Sequence, residues 1–339
     1  MGLWPFIARR LVLAFFVLIV VSVATFLLMH AVPGDPITAI MSDRQANNPE
    51  VRAALERRWS LDQPLPLQYA RYVTNLVQGD WGESISRRTP VAQELRHRVP
   101  ATLELTGYAL AFAIVVGVPL GIISALNHDR WPDHAARFLT LIGTSVPVFW
   151  LGLLLLYVFF FRLEWLPGPG RLDVGMQAPP TITGMVTVDA LLQGQWGVLK
   201  AALQRLVLPA VVLGSFAMGI VARMLRSSLL ASLSDDYVRT ARAKGLGERS
   251  VVAGHALRNA LIPTVTILGL TTASLLAGAV LTETIFSWPG IGSFAVSAAL
   301  KLDYPALLGV TLVVAIIYVV VNLIVDIVYG FLDPRIRAT

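Results

Sequence analysis

Asp235-Asp236-Tyr237-Val238-Arg239-Thr240-Ala241-Arg242-Ala243-Lys244-Gly245-Leu246-Gly247, continuing through His255-Ala256-Leu257-Arg258-Asn259-Ala260-Leu261-Ile262-Pro263, is a polar stretch held between two apolar runs. Its pattern is that of two short helices meeting at a glycine. Ser234 is a good N-cap, Asp235 and Asp236 fall in the first turn where the helix dipole is positive, and Arg239, Arg242 and Lys244 crowd toward the negative end. Gly245 is placed to end the helix in a left-handed cap. Glu248 then opens a second helix that runs toward Pro263. The first helix spans about ten residues, and isolated helices below roughly 12–15 residues are marginal in water, so tertiary or partner contacts must hold it. The residues alone leave two readings: a basic connector that obeys the charge asymmetry of membrane loops, or a docking element.

Around this stretch the composition is that of lipid-embedded helices. The 339-residue chain is 55% hydrophobic and 14% charged, with a mean hydropathy of +0.67, which describes an all-α membrane protein with several spans. The absence of cysteine excludes disulfide staples and thiolate metal sites. The formal charge of +6 follows from basic residues at span ends, and no aromatic-basic platform for nucleic acid accompanies it.

Six apolar runs approach the roughly 20 residues that cross a bilayer as a helix. They lie near 11–30, 101–126, 138–161, 206–226, 262–287 and 305–331. The first is too long for a signal-peptide core and Met29-His30-Ala31 is a poor cleavage site, so it reads as a retained span. Arg9 and Arg10 before the first span, Arg130 and Arg137 after the second, and Arg335 and Arg337 at the end place both termini in the cytoplasm, with the 227–261 loop. That loop carries Arg239, Arg242, Lys244, Arg249 and Arg258, whereas 288–304 has Lys301 alone.

Two pieces fall on the outer side, 31–100 and 162–205. The first is proline-rich, with a short helix expected from Pro49 and with Tyr69, Tyr72 and Trp81 suited to the headgroup level. The second, with Pro167-Gly168-Pro169-Gly170 and Pro179-Pro180, reads as a loop throughout. The chain divides into an N-terminal span with its outer segment, 1–100, and a transmembrane core, 101–339.

Thr264, Thr271, Ser274, Gly278 and Thr282 recur at helical spacing on the fifth span, a weakly polar face suited either to lining a path or to close helix packing. Gly117, Pro119, Gly121, Gly143 and Pro147 interrupt spans two and three and are candidate kinks or sliding points. Intramembrane charge is sparse: Asp326 lies within the last span beside Tyr318 and Asn322, while Glu104 and Glu283 fall near the outer interface. This disfavours an ion-coupled secondary carrier. There is no GxxxxGK[ST] phosphate loop, HExxH pair or GxSxG elbow, so ATP hydrolysis belongs on another polypeptide and a membrane enzyme is disfavoured. His30, His97, His128, His134 and His255 are scattered, with no metal-ligand spacing.

The 235–263 stretch resembles the Glu-Ala-Ala loop of permease subunits in binding-protein-dependent ABC importers, specifically the dipeptide, oligopeptide and nickel branch. Gly245 matches the motif's glycine and Ala241 its second alanine; Arg239 and Thr240 stand where the broader family has Glu and Ala, and Arg258 replaces a proline. Val32-Pro33-Gly34-Asp35-Pro36, Leu61-Asp62-Gln63-Pro64, Gly79-Asp80-Trp81-Gly82, Pro100-Ala101-Thr102-Leu103-Glu104-Leu105, Glu283-Thr284-Ile285-Phe286-Ser287-Trp288-Pro289-Gly290-Ile291-Gly292, Asp303-Tyr304-Pro305 and Asp333-Pro334-Arg335-Ile336-Arg337 are similar to segments of that branch's B-type permeases.

The resemblance implies a type I ABC importer permease fold of about six transmembrane helices in a bacterial inner membrane. It implies pairing with a second, homologous permease subunit to form the pore, and with two ATPase subunits that hold ATP and magnesium; this chain would bind no cofactor. An extracytoplasmic binding protein would deliver the substrate: a dipeptide or oligopeptide, or alternatively glutathione, a nickel complex or haem. The helix around 235–246 would be the coupling helix, with Asp236, Tyr237, Arg239, Thr240, Ala241, Lys244, Gly245 and Leu246 as the ATPase-coupling residues.

Overall fold

The computed structural model describes residues 3–31, 49 and 63–332. In chain order they form α1 (Leu3–Ala31), α2 (Leu65–Val77), α3 (Val91–Leu126), α4 (Trp131–Ser145), α5 (Val148–Leu155, prolonged by the π-helical turn Leu156–Arg162), α6 (Val186–Leu192), α7 (Trp196–Ser234), α8 (Asp236–Ala243), α9 (Leu257–Ile285), α10 (Ile291–Leu300) and α11 (Tyr304–Leu332). A helical turn, Glu248–Ser250, and a π-helical turn, Val251–Ala256, lead into α9. Helix is the expected solution for chain in lipid, where each backbone polar group must find its partner within the segment.

Among the described residues, five helical segments are long and apolar enough to cross a membrane: those of α1, α3, α7, α9 with its lead-in, and α11. A sixth crossing is available only as the pair α4–α5, which is bent by 109°. The run 138–161 is therefore not one straight helix. Val146 is extended (φ −79°, ψ 128°) because the ring of Pro147 crowds the residue before it out of the helical region. The other prolines behave differently. Pro100 and Pro119 lie inside α3, Pro209 inside α7 and Pro263 inside α9, so Pro263 does not mark the start of a span; the apolar segment begins as early as Glu248.

The bundle is built around α7, which runs parallel to α3 and antiparallel to α4. Glycine sets these contacts. A Cβ on Gly117 would lie 2.9 Å from the Met218 carbonyl oxygen, one on Gly121 2.8 Å from that of Ala222, and one on Gly214 2.5 Å from that of Ala109. Across the α4 face, Gly143 would meet the Ser215 carbonyl at 2.6 Å and Gly219 that of Thr140 at 2.7 Å. The glycines thus come from all three helices and each faces a partner's backbone. Gly117, Gly121 and Gly143 are contact points between helices. In lipid, where the hydrophobic effect does not press helices together, such close approach supplies the packing energy.

Ala101, Leu105, Ala109, Leu213, Ala217 and Leu275 form the middle of the core, from α3, α7 and α9. Helix α1 lies at the periphery, mostly exposed, and meets α11. It also holds α2, through a cluster of Phe26 with Tyr69 and Tyr72 and a 2.8 Å hydrogen bond between Ser22 Oγ and the Tyr69 hydroxyl. Trp81 packs against the cluster of Val91, Leu95 and Phe294. These aromatics serve tertiary packing.

Residues 162–205 are more structured than a loop. They contain α6 and the first turns of α7, and Arg205 ties the proline-glycine segment down by donating to the carbonyls of Gly168 (2.9 Å) and Pro169 (2.8 Å) and to Asp173 (3.0 Å). Asp189 accepts from the backbone N–H groups of Thr183 (2.8 Å) and Gly184 (3.0 Å). The helix expected from Pro49 and the side chain of Asp326 lie outside the described residues.

A long-range clamp joins the chain before α3 to the start of α11. The buried Asp303 carboxylate accepts from Ser84 Oγ (2.5 Å), Ile85 N (3.1 Å), Ser86 N (3.0 Å) and Ser86 Oγ (2.8 Å). Burial by itself raises the carboxyl's pKa, but these hydrogen bonds outweigh it and hold the group below its usual range. The clamp is thus fully present above the ordinary Asp titration range and is lost as pH falls through the lowered value.

Two outcomes follow for the purified protein in detergent. Gly219→Val, which drives a side chain into the Thr140 backbone, costs about 1–3 kcal/mol and lowers the thermal unfolding midpoint, whereas Gly197→Ala on the same helix, with nothing within 4 Å, does not. Asp303→Asn costs about 1–3 kcal/mol at neutral pH, and unfolding midpoints measured from pH 7 downward fall less steeply in the variant than in the parent.

Candidate docking helix and the charged clusters of the bundle

Helix α8 leaves α7 after a single residue. Asp235 is its N-cap, extended at φ −69° and ψ 151°, and the Asp235 carbonyl accepts from Val238 N at 3.1 Å. Ser234 does not cap it. That residue ends α7, with its hydroxyl donating to the Ala231 carbonyl at 2.7 Å, so only Asp236 occupies the first turn. At the far end Gly245 N–H donates to the Arg242 carbonyl at 2.9 Å and Leu246 N–H to that of Ala241 at 3.4 Å. This is the paired Schellman arrangement, and it requires the left-handed backbone that Gly245 supplies at φ +80°.

The helix has two unlike faces. Val238 and Ala241 are buried against Ala125, Leu225, Leu229, Val251 and Ala256. Asp236, Arg239, Thr240, Lys244 and Gly245 are exposed, and Tyr237 and Leu246 stand 38% and 42% exposed. The eight residues singled out in the sequence are therefore seven surface positions around one inward anchor, Ala241. Arg239 pairs with Asp236 at 3.2 Å along the outer face. Arg242 reaches past the glycine to Glu248, Nε at 3.0 Å and Nη2 at 2.6 Å. This pair links α8 to the lead-in to α9.

A buried ion pair that the sequence pattern did not disclose fastens α7 just above α8. Arg226 donates from Nε at 2.9 Å and from Nη2 at 2.7 Å to the two oxygens of Asp133, a bidentate geometry that guanidinium favours. Asp133 is completely buried and also accepts from Ser124 Oγ and Asp129 N (3.0 Å). The ends of α3, α4 and α7 thus meet on one carboxylate. An acidic residue directly after Trp131-Pro132, opposite a surplus of arginines, is the signal in the chain, but its partner lies 93 positions away.

At the opposite end of the bundle α9 turns sharply into α10. The buried Glu283 carboxylate accepts from Ser293 N at 2.8 Å, in the first turn of α10, and from Thr102 Oγ1 at 2.5 Å. Thr102 Oγ1 in turn accepts from Ile291 N at 2.8 Å, and Trp288 Nε1 donates to the Ala101 carbonyl at 2.8 Å. A Cβ on Gly290 would fall 2.1 Å from the Glu283 carboxylate, which explains the glycine beside it. Close by, Glu104 accepts from Arg171 Nη2 (2.5 Å) and from Thr187 N and Oγ1 (both 2.7 Å), and the Arg171 guanidinium lies 5.4 Å from the Trp288 ring. Both carboxylates expected near an interface are buried and bonded within the fold.

The weakly polar face of α9 is largely buried in this chain. Thr264, Thr271 and Thr282 are buried; Thr264 donates to the Ala260 carbonyl at 3.1 Å and Thr271 to that of Ile267 at 2.8 Å. Gly278 sits against Leu213. Ser274, at the edge of the stripe, is exposed. No group of three or more His, Asp or Glu placed to hold a metal occurs among the described residues.

Residues 117–338 match the family described as "Binding-protein-dependent transport system inner membrane component", and residues 3–106 match its N-terminal companion. The chain is 46% identical to the probable D,D-dipeptide transport system permease protein DdpB of Escherichia coli K12, over 99% of this chain and 98% of that one. It is 46% identical to the di/tripeptide transport system permease protein DppB of Pseudomonas aeruginosa, with 98% of each chain covered. To the dipeptide transport system permease protein DppB of Escherichia coli K12 it is 42% identical, again over 98% of each. These matches span nearly the whole polypeptide, and the chain belongs to the family of binding-protein-dependent transport system inner membrane components, as a multi-pass, non-catalytic permease subunit.

Proposed function

We propose that this chain forms half of a heterodimeric pore that imports dipeptides or short oligopeptides, driven by ATP bound with magnesium on two ATPase subunits. Both termini and α8 face the cytoplasm, and α10 and residues 63–90 and 163–195 face outward, where a binding protein delivers the ligand. Residues 1–100 comprise the N-terminal span and its outer segment, and 101–339 the transmembrane core. Peptide is favoured because the relatives named above are peptide permeases and because a free metal would call for ligand clusters.

The two-faced geometry of α8 carries the reading. One face is anchored in the bundle through Val238 and Ala241, and the other presents Asp236, Tyr237, Arg239, Thr240 and Lys244 to a partner. The Gly245 cap and the Arg242–Glu248 pair keep the short helix from turning on its stalk, and the Asp133–Arg226 pair joins its stalk to α3 and α4. A push on α8 therefore reaches the bundle as a rigid displacement, as required for switching between two packings. Pore lining on α9 falls to Ser274 and its exposed neighbours, with Thr264, Thr271, Gly278 and Thr282 packing behind them.

The test is uptake of a labelled dipeptide into proteoliposomes that hold the full complex and its binding protein. Gly245→Val places a β-branched residue at φ +80°, at a cost of about 1–2 kcal/mol. It is expected to lower uptake per ATP hydrolysed by about tenfold, with the complex still assembled. Unchanged coupling in that variant defeats the assignment of α8, and a parent complex that takes up no dipeptide defeats the assignment of substrate.

A further inference from the structure

An open cleft of about 400 Å³ lies beside the α9–α10 turn, lined by Arg87, Arg98 and Lys301 together with Trp288, Pro289 and Val296. That volume is within the roughly 300–1,000 Å³ of small-molecule sites. Its charges are unbalanced. Three cations border it against one carboxylate, Glu283, whose oxygens accept from Thr102 and from Ser293 at the head of α10 and form no ion pair among the described residues. Glu94 takes Arg98 Nε at 2.9 Å and lies 3.9 Å from Arg87 Nε, so one outer carboxylate faces two guanidiniums. Lys301 is exposed and has no carboxylate partner among the described residues.

The cations are also set in place. The guanidinium of Arg98 lies 4.6 Å from the Phe294 ring centre and that of Arg87 5.6 Å from the same ring, so one buried aromatic holds both. Two further lining residues, Ser287 and Ser297, offer hydroxyls with no partner among the described residues. Ser287 has φ +48°, a left-handed conformation unusual for a residue with a side chain, of the sort that collects at ligand sites. Cations and hydroxyls that share a cleft with apolar side chains suit a small ligand that ends in a carboxylate and carries an apolar side chain.

We propose that this cleft binds the free C-terminal carboxylate of the incoming peptide, through Arg87, Arg98 and Lys301, on the outer side of the pore. The proposal rests on the peptide reading above. It makes the cleft a relay point between the binding protein and the pore, with the carboxylate held by cations rather than by hydrogen bonds specific to one side chain, so that peptides of different sequence share it.

The test is saturation-transfer NMR on the membrane complex of both permease subunits and ATPases in phosphatidylcholine nanodiscs, without the binding protein. The probes are alanyl-phenylalanine and its C-terminal amide. The free acid is expected to show about fivefold more transfer than the amide. The double variant Arg87→Gln, Lys301→Gln should bring the acid down to the amide's level, and Lys301→Arg should leave it high. Equal transfer from acid and amide in the parent complex overturns the proposal, as does an acid preference that survives the double variant. Loss of the acid signal when phosphatidylglycerol replaces part of the lipid assigns the cations to a headgroup phosphate and also overturns it. A complex that imports no dipeptide yet prefers 3-phenylpropionate to its amide keeps the carboxylate site and removes the peptide reading alone.

Discussion

Everything in this bundle depends on how closely α7 approaches its neighbours. Gly214 and Gly219 on α7, with Gly117 and Gly121 on α3 and Gly143 on α4, bring backbone against backbone at separations that a single methyl group would violate. Between lipid-embedded helices apolar burial gives little net drive, because lipid tails are as apolar as leucine, so dispersion contact over such seams carries the cohesion. A seam of this kind has few intermediate positions. It suits a subunit that moves as a block.

The block is extended to the docking helix by charge. Asp133, shared by Ser124, Asp129 N–H and both ends of the Arg226 guanidinium, closes the α3–α4–α7 corner eight residues before α7 ends. A carboxylate this deeply buried is costly unless it is fully bonded, and here its bonds reach three helices. From that corner α7 passes into α8 through Asp235 alone, and Gly245 with the Arg242–Glu248 pair fixes where α8 ends. The opposite pole uses the same economy of parts, with Glu283 capping α10 from inside the fold and Glu104 holding Arg171 under the outer segment.

The sharp turn into α10 has a second consequence. Because both oxygens of Glu283 are held, by Thr102 and by the first turn of α10, the carboxylate makes no ion pair with the cations of the neighbouring cleft among the described residues. The glycine at position 290 makes room for that carboxylate.

By itself the sequence determined what depends on neighbours along the chain. The membrane class and the approximate spans follow from runs of apolar residues, the α8 helix from its polar tract and flanking charges, its end from Gly245, and the break near Pro147 from the steric effect of a proline ring on the residue before it. Even so, local signals misplaced the N-cap at Ser234 and the start of α9 at Pro263, because propensity there yields to helices that continue through. Only the tertiary structure decided the pairings: Asp133 with Arg226, Glu283 with Thr102 across 181 positions, and Asp303 with Ser84 across 219. It also decided that Thr264, Thr271 and Thr282 turn inward while Ser274 does not. The reason is physical. A carboxylate's need for partners is set by its burial, and burial is a property of how helices cross, which no local stretch of chain records.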